Sequence, residues 1–410
     1  MFRLSAFLLV CICLCSCVWN GTESNPDFLA LDDSEYPYAG LPRLVIETEN
    51  FAQIQDKETK IPAKLQVYGE NGPESEIMDL EIKGRGNSSF SMAKYSLKLK
   101  FENKIPLFEM PKDKEWDLVA NQRDKSMLRN YISYQLARTL RDSYTPRSQF
   151  VEVFLNREYI GVYQLTEHQK VSKHRVNIPK NDSSYFFEKT TQPATTGNLI
   201  TTEIGYIYDI RYPKDPSEEV MNRLKKHLND FENFIQSKHV HNIDSVYKWI
   251  DIDDLTRFYW IQEFTMNLDG AFRRSQFITW QVGKPIQMGP VWDFDITYGI
   301  SSSKIVLPDH WYIKKYGWYR FLFKNKQVRK KIKDYWVMNR SSFESTLNFI
   351  EEEAPKLSKA MKNEFKRWPV LENDSEWPFI EAYDSYEDAV NALKDWIKQR
   401  LEWVDENYAL

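Results

Sequence analysis

Tyr95-Ser96-Leu97-Lys98-Leu99-Lys100-Phe101 alternates without a break. Tyr95, Leu97, Leu99 and Phe101 fall on one face and Ser96, Lys98 and Lys100 on the other. A period of two predicts a β-strand with one face buried and one open. The same pattern extends outward. Residues 63–69 and 78–83 alternate, and Leu44-Val45-Ile46 reads as a short buried run. Residues 150–155 and 159–165 are strand-like and flank Asn156-Arg157-Glu158, the composition of a hairpin turn. One helix breaks the run. It starts near Asp124 and carries Leu128, Tyr131, Ile132, Leu136 and Leu140 at helical spacing. The span 41–205 is therefore expected to be β-rich.

The pattern changes after a turn-rich stretch at 190–202, read as a loop. Asp215-Pro216-Ser217-Glu218-Glu219 suits a helix start, with proline in the first turn and acids at the positive dipole end. Val220, Leu224, Leu228, Phe231 and Ile235 form the apolar stripe that follows. From 206 to 410 the expectation is mainly helical, with a short β insertion near 276–296. The last helix is expected over about 386–405, with Val390, Leu393, Ile397 and Leu401 inward. The fold class is α+β. Most of the tryptophans, which crowd the C-terminal half, are expected in its core or rim.

The 410 residues are 42% hydrophobic and 15% aromatic, which excludes low complexity and whole-chain disorder. A net charge of −4 gives no electrostatic case for nucleic acid. Cysteines occur at 11, 13, 15 and 17 and nowhere later, so neither disulfides nor a cysteine-ligated zinc can shape the body. Residues 1–16 read as a secretory signal too short to span a bilayer. Leu14-Cys15-Ser16-Cys17 resembles the bacterial lipobox, which makes Cys17 the expected lipidation site and the cell envelope the expected address. Two or more acyl chains anchor a protein stably. Residues 17–40 are expected to be a flexible tether, and the protein a monomer.

Four segments could carry chemistry. Lys83-Gly84-Arg85-Gly86-Asn87-Ser88-Ser89 can form a tight turn with backbone N–H groups free for phosphate, or an ordinary β-turn. Lys98 on its strand is either a phosphate-holding point charge or a solvated lysine. Asn267-Leu268-Asp269-Gly270 follows an apolar helix, and Asp269 could accept a hydroxyl proton or merely shape a turn. In Gly289-Pro290-Val291-Trp292-Asp293-Phe294-Asp295-Ile296, an extended backbone would project Asp293 and Asp295 from one face. Paired carboxylates beside apolar side chains point to a hard cation such as Mg²⁺. Phosphoryl transfer rests on positioning and charge neutralisation, and these are its parts. The ordinary protein-kinase signatures G-x-G-x-x-G, H-R-D and D-F-G are missing.

Several ordered segments together resemble the CotH kinase family, named for a spore-coat protein kinase. They are Arg85 to Ser89, Tyr95 to Phe101, Met110 to Lys114 with Trp116 to Asn121, Asp124 to Asn130, Pro146 to Ser148, Asn156 to Glu167 and Gly289 to Gly299. The resemblance implies an atypical, two-lobed kinase-like fold, with a nucleotide cleft between a β-rich and a helical lobe. It implies transfer of phosphate from ATP, with Mg²⁺ or Mn²⁺, to Ser or Thr of secreted or surface proteins. Carried over by position, Lys98 contacts the ATP phosphates and Asp269 is the catalytic Asp. Asp293 is then the metal-binding residue and Asp295 a second metal contact. Arg85, Asn87 and Ser88 line the phosphate side, and Glu167 and Glu188 are candidate partners of Lys98 or the nucleotide. Members often carry a Leu-Glu-x-Asp-like stretch where this chain has Phe186-Phe187-Glu188-Lys189-Thr190. That departure, an ATP-poor address and the late tryptophans motivate a second reading, a catalytically degenerate surface protein that binds protein or glycan. A third keeps the ATP site but moves AMP or another group.

Overall fold

In the computed structural model, the described residues are 31–408 apart from 87, 141–142, 192–196, 302–305, 373–374, 377–378 and 381. The signal segment, Cys17 and Asn87 lie outside them. Eight strands form the first sheet: β1 (Arg43–Thr48), β2 (Ile61–Gly69), β3 (Gly72–Pro73), β4 (Met78–Arg85), β5 (Ser96–Leu107), β6 (Met110–Val119), β7 (Ser148–Leu155) and β8 (Glu158–Glu167). Their order is β1-β7-β8-β6-β5-β4-β2-β3, and β1 also pairs with β2. That extra pairing closes the sheet on itself, so it is barrel-like, with its long edges sealed. The alternation read from Tyr95–Phe101 is what fills it: Leu97, Leu99 and Phe101 point inward with Leu65, Ile82, Trp116, Val153 and Leu165. Lys98 therefore stands on the outside of the barrel. The hairpin between β7 and β8 turns through Asn156 and Arg157, both left-handed (φ 52° and 67°), as a tight two-residue hairpin requires.

A second sheet holds β9 (Ser184–Thr190), β10 (Leu199–Thr201), β11 (Ile207–Tyr212), β12 (Gln276–Gln281) and β13 (Gln287–Met288), in the order β10-β11-β9-β12-β13. This corrects the expected division at 205. Strand β9 pairs with β11 on one side and with β12 on the other, so the sheet crosses that boundary. Backbone hydrogen bonding can join segments far apart in sequence, which local pattern does not report.

The helices are α1 (Arg129–Leu140), α2 (Glu218–Gln236), α3 (Ile243–Trp249), α4 (Ile252–Phe264), α5 (Tyr319–Leu322), α6 (Lys326–Arg367) and α7 (Tyr386–Asn407). Helix α1 starts five residues later than expected, because Asp124 shapes the turn before it: its carboxylate accepts from the backbone N–H of Ser126 (3.1 Å) and of Arg129 (2.7 Å). The stripe of α2 is buried as its spacing required, and Ser217 caps it through the Val220 N–H. Among the described tryptophans, Trp116, Trp260, Trp280, Trp292, Trp318, Trp336 and Trp396 are buried. No helix among the described residues is long and apolar enough to cross a membrane.

Residues 31–40 depart from the tether reading by packing on the body. Tyr36 stacks on Tyr159 at 4.3 Å between ring centroids, Ala39 is buried, and Asn363 donates to the Pro37 carbonyl. Helix α6 is fastened to the barrel by a buried ion pair. Lys94 Nζ reaches Glu364 Oε1 and the Val162 carbonyl, each at 2.6 Å, and the Val162 N–H donates to Glu364 Oε2 at 2.7 Å. Burial lowers the Lys94 pKa and Glu364 opposes that shift. Gly161 makes room: a Cβ there would lie 2.4 Å from Glu364 Oε2, and its φ is +110°. Glu364→Ala strands a buried ammonium and is expected to destabilise the fold by about 3–5 kcal/mol in chemical denaturation. The double variant Lys94→Met/Glu364→Leu should lose much less. Equal losses in the two would show that the pair does not act as a pair.

Candidate functional site

The outer face of the barrel carries a ladder of charge. In the pairing of β5 with β6, Lys98 stands opposite Asp117 and Lys100 opposite Glu115. The alternation that turns Trp116 inward turns Glu115 and Asp117 outward beside Lys98. Lys98 Nζ lies 2.9 Å from Glu115 Oε2 and 2.9 Å from His168 Nε2, while His168 Nδ1 lies 3.0 Å from Asp117 Oδ2. Burial lowers the Lys98 pKa, with Glu115 and Asp117 opposing; burial likewise lowers that of His168. The ring is then neutral, with Nδ1–H donating to Asp117 and Nε2 accepting from the ammonium. Burial pushes Glu115 and Asp117 up. For Glu115, Lys98 and His168 outweigh it; for Asp117, Arg85 and His168 do; both stay well below the usual carboxylate range. Glu115, Asp117 and His168 were not singled out from the sequence. The first two were legible in the same period-two pattern as Lys98.

The expected partners of Lys98 sit elsewhere. Glu167 is fully buried and held by Arg147, through its backbone N–H at 3.0 Å and its guanidinium at 2.8 Å. By alternation it belongs to the inward face of β8, with Leu165. Glu188 is paired with Arg211 and accepts from the Ser275 N–H at 3.2 Å. Neither touches Lys98.

A second group gathers three aspartates. After α4, Asn267 folds the chain back: its Oδ1 accepts from the Gly270 N–H (3.0 Å) and its Nδ2 donates to the Asp293 carbonyl (3.2 Å). A Cβ at Gly270 would come within 2.1 Å of Gln262 Oε1, so the Asp-Gly pair is fixed by close packing. Asp269 is a buried turn residue, with Arg274 Nε 3.3 Å from its Oδ1. The 289–296 stretch is not an extended strand. Asp293 is left-handed (φ 67°), so the two acids do not share a face by alternation. The turn is held from α1. The Phe294 N–H donates to Asn130 Oδ1 (2.8 Å), and Arg129 Nε donates to the Thr297 carbonyl (3.0 Å). Asn130 also donates to Asn121, and Asn121 to Gln164 of β8, so a buried amide relay runs from the barrel to this turn.

Ser275 ties the two acidic sides together, its Oγ donating to Asp293 Oδ2 at 2.9 Å while its N–H serves Glu188. Burial and the nearby Asp293 carboxylate push Asp269 up to about 6, against Arg274, Arg273 and Arg123. Burial and Asp293 likewise push Asp295 up to about 8. Among the described residues no hydrogen bond is directed at the Asp295 carboxylate, so like charges crowd there without donors. A cation matches that donor set, although no three His, Cys, Asp or Glu side chains among the described residues already stand at metal-binding spacing.

Arg85 bridges the two groups. Its Nε lies 3.4 Å from Asp117 Oδ1 and its guanidinium 5.4 Å from the centre of the Trp292 ring, beside Asp293. Just before it, a Cβ at Gly84 would strike the Phe90 ring at 2.0 Å, so the strand packs there without a side chain. The side chain of Ser88 lies outside the described ones. Lys98 makes no direct contact with Asp269 or Asp293 among the described residues; the nearest link is Arg85, which pairs with Asp117 on the Lys98 side and lies over Trp292, the chain neighbour of Asp293.

A family model described as CotH kinase protein matches residues 82–404. The chain belongs to the CotH kinase family. It is a kinase-like protein, and the matched span contains the charge ladder, Arg85 and all three aspartates. No curated protein matches the chain.

In this CotH kinase-family member the raised carboxyls have a sign that can be tested. A carboxyl whose folded pKa lies above its unfolded value makes the folded state bind extra protons, so stability falls as pH rises through that window. For Asp295 the window runs from about 4 to about 8. Asp295→Asn is therefore expected to raise the melting temperature at pH 8, with the gain fading toward pH 4. An unchanged or inverted pH dependence would show that the carboxylates are not crowded in solution.

Proposed function

We propose that this chain is an atypical protein kinase, anchored to the cell envelope through Cys17, that transfers the γ-phosphate of ATP to Ser or Thr of secreted or surface proteins. The observation that carries the reading is the meeting of opposite fields across Arg85 and Trp292. One side offers Lys98 and Arg85 for phosphate, and the other offers buried carboxylates crowded beyond what their donors satisfy. In this reading a nucleotide lies between the barrel and the helical part, as in a two-lobed kinase.

Asp269, at about 6, is ionised at neutral pH yet basic enough to take a hydroxyl proton. The acceptor oxygen bonds to the γ-phosphorus, the bond from that phosphorus to the β-phosphate oxygen breaks, ADP leaves, and the proton passes to Asp269. Asp293 and Asp295 would hold Mg²⁺ or Mn²⁺, which when bound supplies charge neutralisation for the phosphates. Lys98 and Arg85 hold phosphate oxygens, and His168 with Asp117 keeps Lys98 in place.

The competing reading, a degenerate scaffold that only binds partners, draws on the grip of Glu115 and His168 on Lys98 and on Thr190 at a family acid position. Calorimetric titration of the full chain in mild detergent separates the two. The kinase reading expects ATP binding that depends on divalent metal, weakened by Lys98→Met and losing its metal dependence in Asp293→Ala. It also expects labelled phosphate to pass from ATP to protein hydroxyls, lost in Asp269→Asn. Failure to bind nucleotide with either metal would reject it. Intact-mass analysis of the product distinguishes phosphate from AMP.

A further inference from the structure

The Asp269 side of the site carries more positive charge than its acids use. Arg274 is taken up by Asp269, and Arg211 by Glu188 and Asp209. Beyond these stand Arg273, Lys315 and Arg320, all exposed, and among the described residues none makes an ion pair with a carboxylate. They form one ledge. Gly317 lies so close to Phe272 that a Cβ there would come within 2.2 Å of the ring, which brings the segment after Ile313 against the turn after Asp269. The Arg273 guanidinium lies beside the Tyr312 hydroxyl, and Arg320 faces Tyr206, whose ring packs 5.4 Å from that of Phe272.

The ledge is built rather than loose. The backbone N–H groups of Tyr312 (2.8 Å) and Lys314 (3.1 Å) donate to the carboxylate of Glu263, which is fully buried one residue from the end of α4. Arg400 holds the same carboxylate at 3.2 Å. The element that delivers Asp269 therefore also fixes the position of the cationic ledge. Within 309–320 the one acid is Asp309, exposed and beside His310.

We propose that this ledge docks the acceptor, and that the acceptor presents its hydroxyl within a segment rich in Asp and Glu. The inference rests on the kinase reading for the role of Asp269 but not for the docking. A carboxylate-rich strand laid on Arg273, Lys315 and Arg320 gains attraction that exposed charges lack when unpaired, and like charge there rejects a basic segment.

Two fluorescent serine peptides, one flanked by glutamates and one by lysines, test it with the full chain in mild detergent. Anisotropy reads binding without catalysis, and labelled ATP reads transfer. The acidic peptide is expected to bind roughly tenfold tighter, from two or three exposed ion pairs. The preference should weaken as salt rises. Lys315→Glu/Arg320→Glu should abolish it while leaving the KM for ATP unchanged. Equal binding of the two peptides, a preference for lysine, or a double variant that shifts only the ATP KM would overturn the proposal. Charge-selective binding without any phosphate transfer would keep the docking surface and reject the kinase reading. Transfer without charge preference would do the reverse.

Discussion

Three carboxylates, Asp269, Asp293 and Asp295, are held close enough to raise the proton affinity of two of them, and much of the surrounding structure serves to hold them there. Such crowding is unfavourable by itself, because buried like charges repel and lose solvation. It persists because the backbone carrying it is gripped from outside. Asn130 takes the Phe294 N–H, Arg129 takes the Thr297 carbonyl, and Asn267 takes the Asp293 carbonyl. None of these bonds uses an aspartate side chain. The carboxylates are thus positioned largely through the main chain, with only Arg274 at Asp269 and the Ser275 hydroxyl at Asp293 as side-chain partners among the described residues. The left-handed Asp293 fits the same account, since strain of this kind endures where surrounding contacts over-determine it.

The barrel solves the opposite problem for its cations. Lys98 is satisfied by Glu115 and His168, and Arg85 by Asp117, all within the protein. Cations on this face are therefore neutralised and fixed in direction, whereas the aspartates are fixed in position but under-neutralised. Arg85 belongs to both systems, because its guanidinium pairs with Asp117 while lying over Trp292. The buried Lys94–Glu364 pair and the Gln164–Asn121–Asn130 relay keep the barrel and the helical part from shifting against each other across this junction.

Much of the fold was legible because it obeys short-range periodicity. The face of Tyr95–Phe101, the hairpin at Asn156-Arg157, the stripe of α2 and the last helix all follow from spacing. The five-stranded sheet was not, because pairing of β9 with β12 joins residues about ninety positions apart and leaves no local trace. For the site, the residue types at Lys98, Asp269, Asp293 and Asp295 stood out from sequence, but their surroundings did not. An alternating W-D-F-D reading put both acids on one face, and a single positive φ at Asp293 undoes that alternation. Glu167 was a candidate partner of Lys98 or the nucleotide through the family resemblance alone, and the pleat turns it inward to Arg147. Glu115 and Asp117 were overlooked for the inverse reason. Their alternation was visible, but only the β5–β6 register shows that they face Lys98.

The two charge systems also differ in what a bound anion would cost them. A phosphate reaching Lys98 competes with Glu115, whose carboxylate is strongly stabilised as an anion, so the ammonium must share its protons rather than simply gain a partner. His168 eases that exchange. Its Nε2 is a neutral acceptor, and losing a neutral hydrogen bond costs less than separating an ion pair. Its hold on Asp117 through Nδ1 keeps the ring in place afterwards. The aspartates run the other way, since a cation arriving among them relieves repulsion that is already present. A complex of cation and polyphosphate is then favoured over either alone. In the proposed kinase reading, the cation would remove the penalty on one side, and the anion would share a lysine and an arginine that carboxylates already hold on the other.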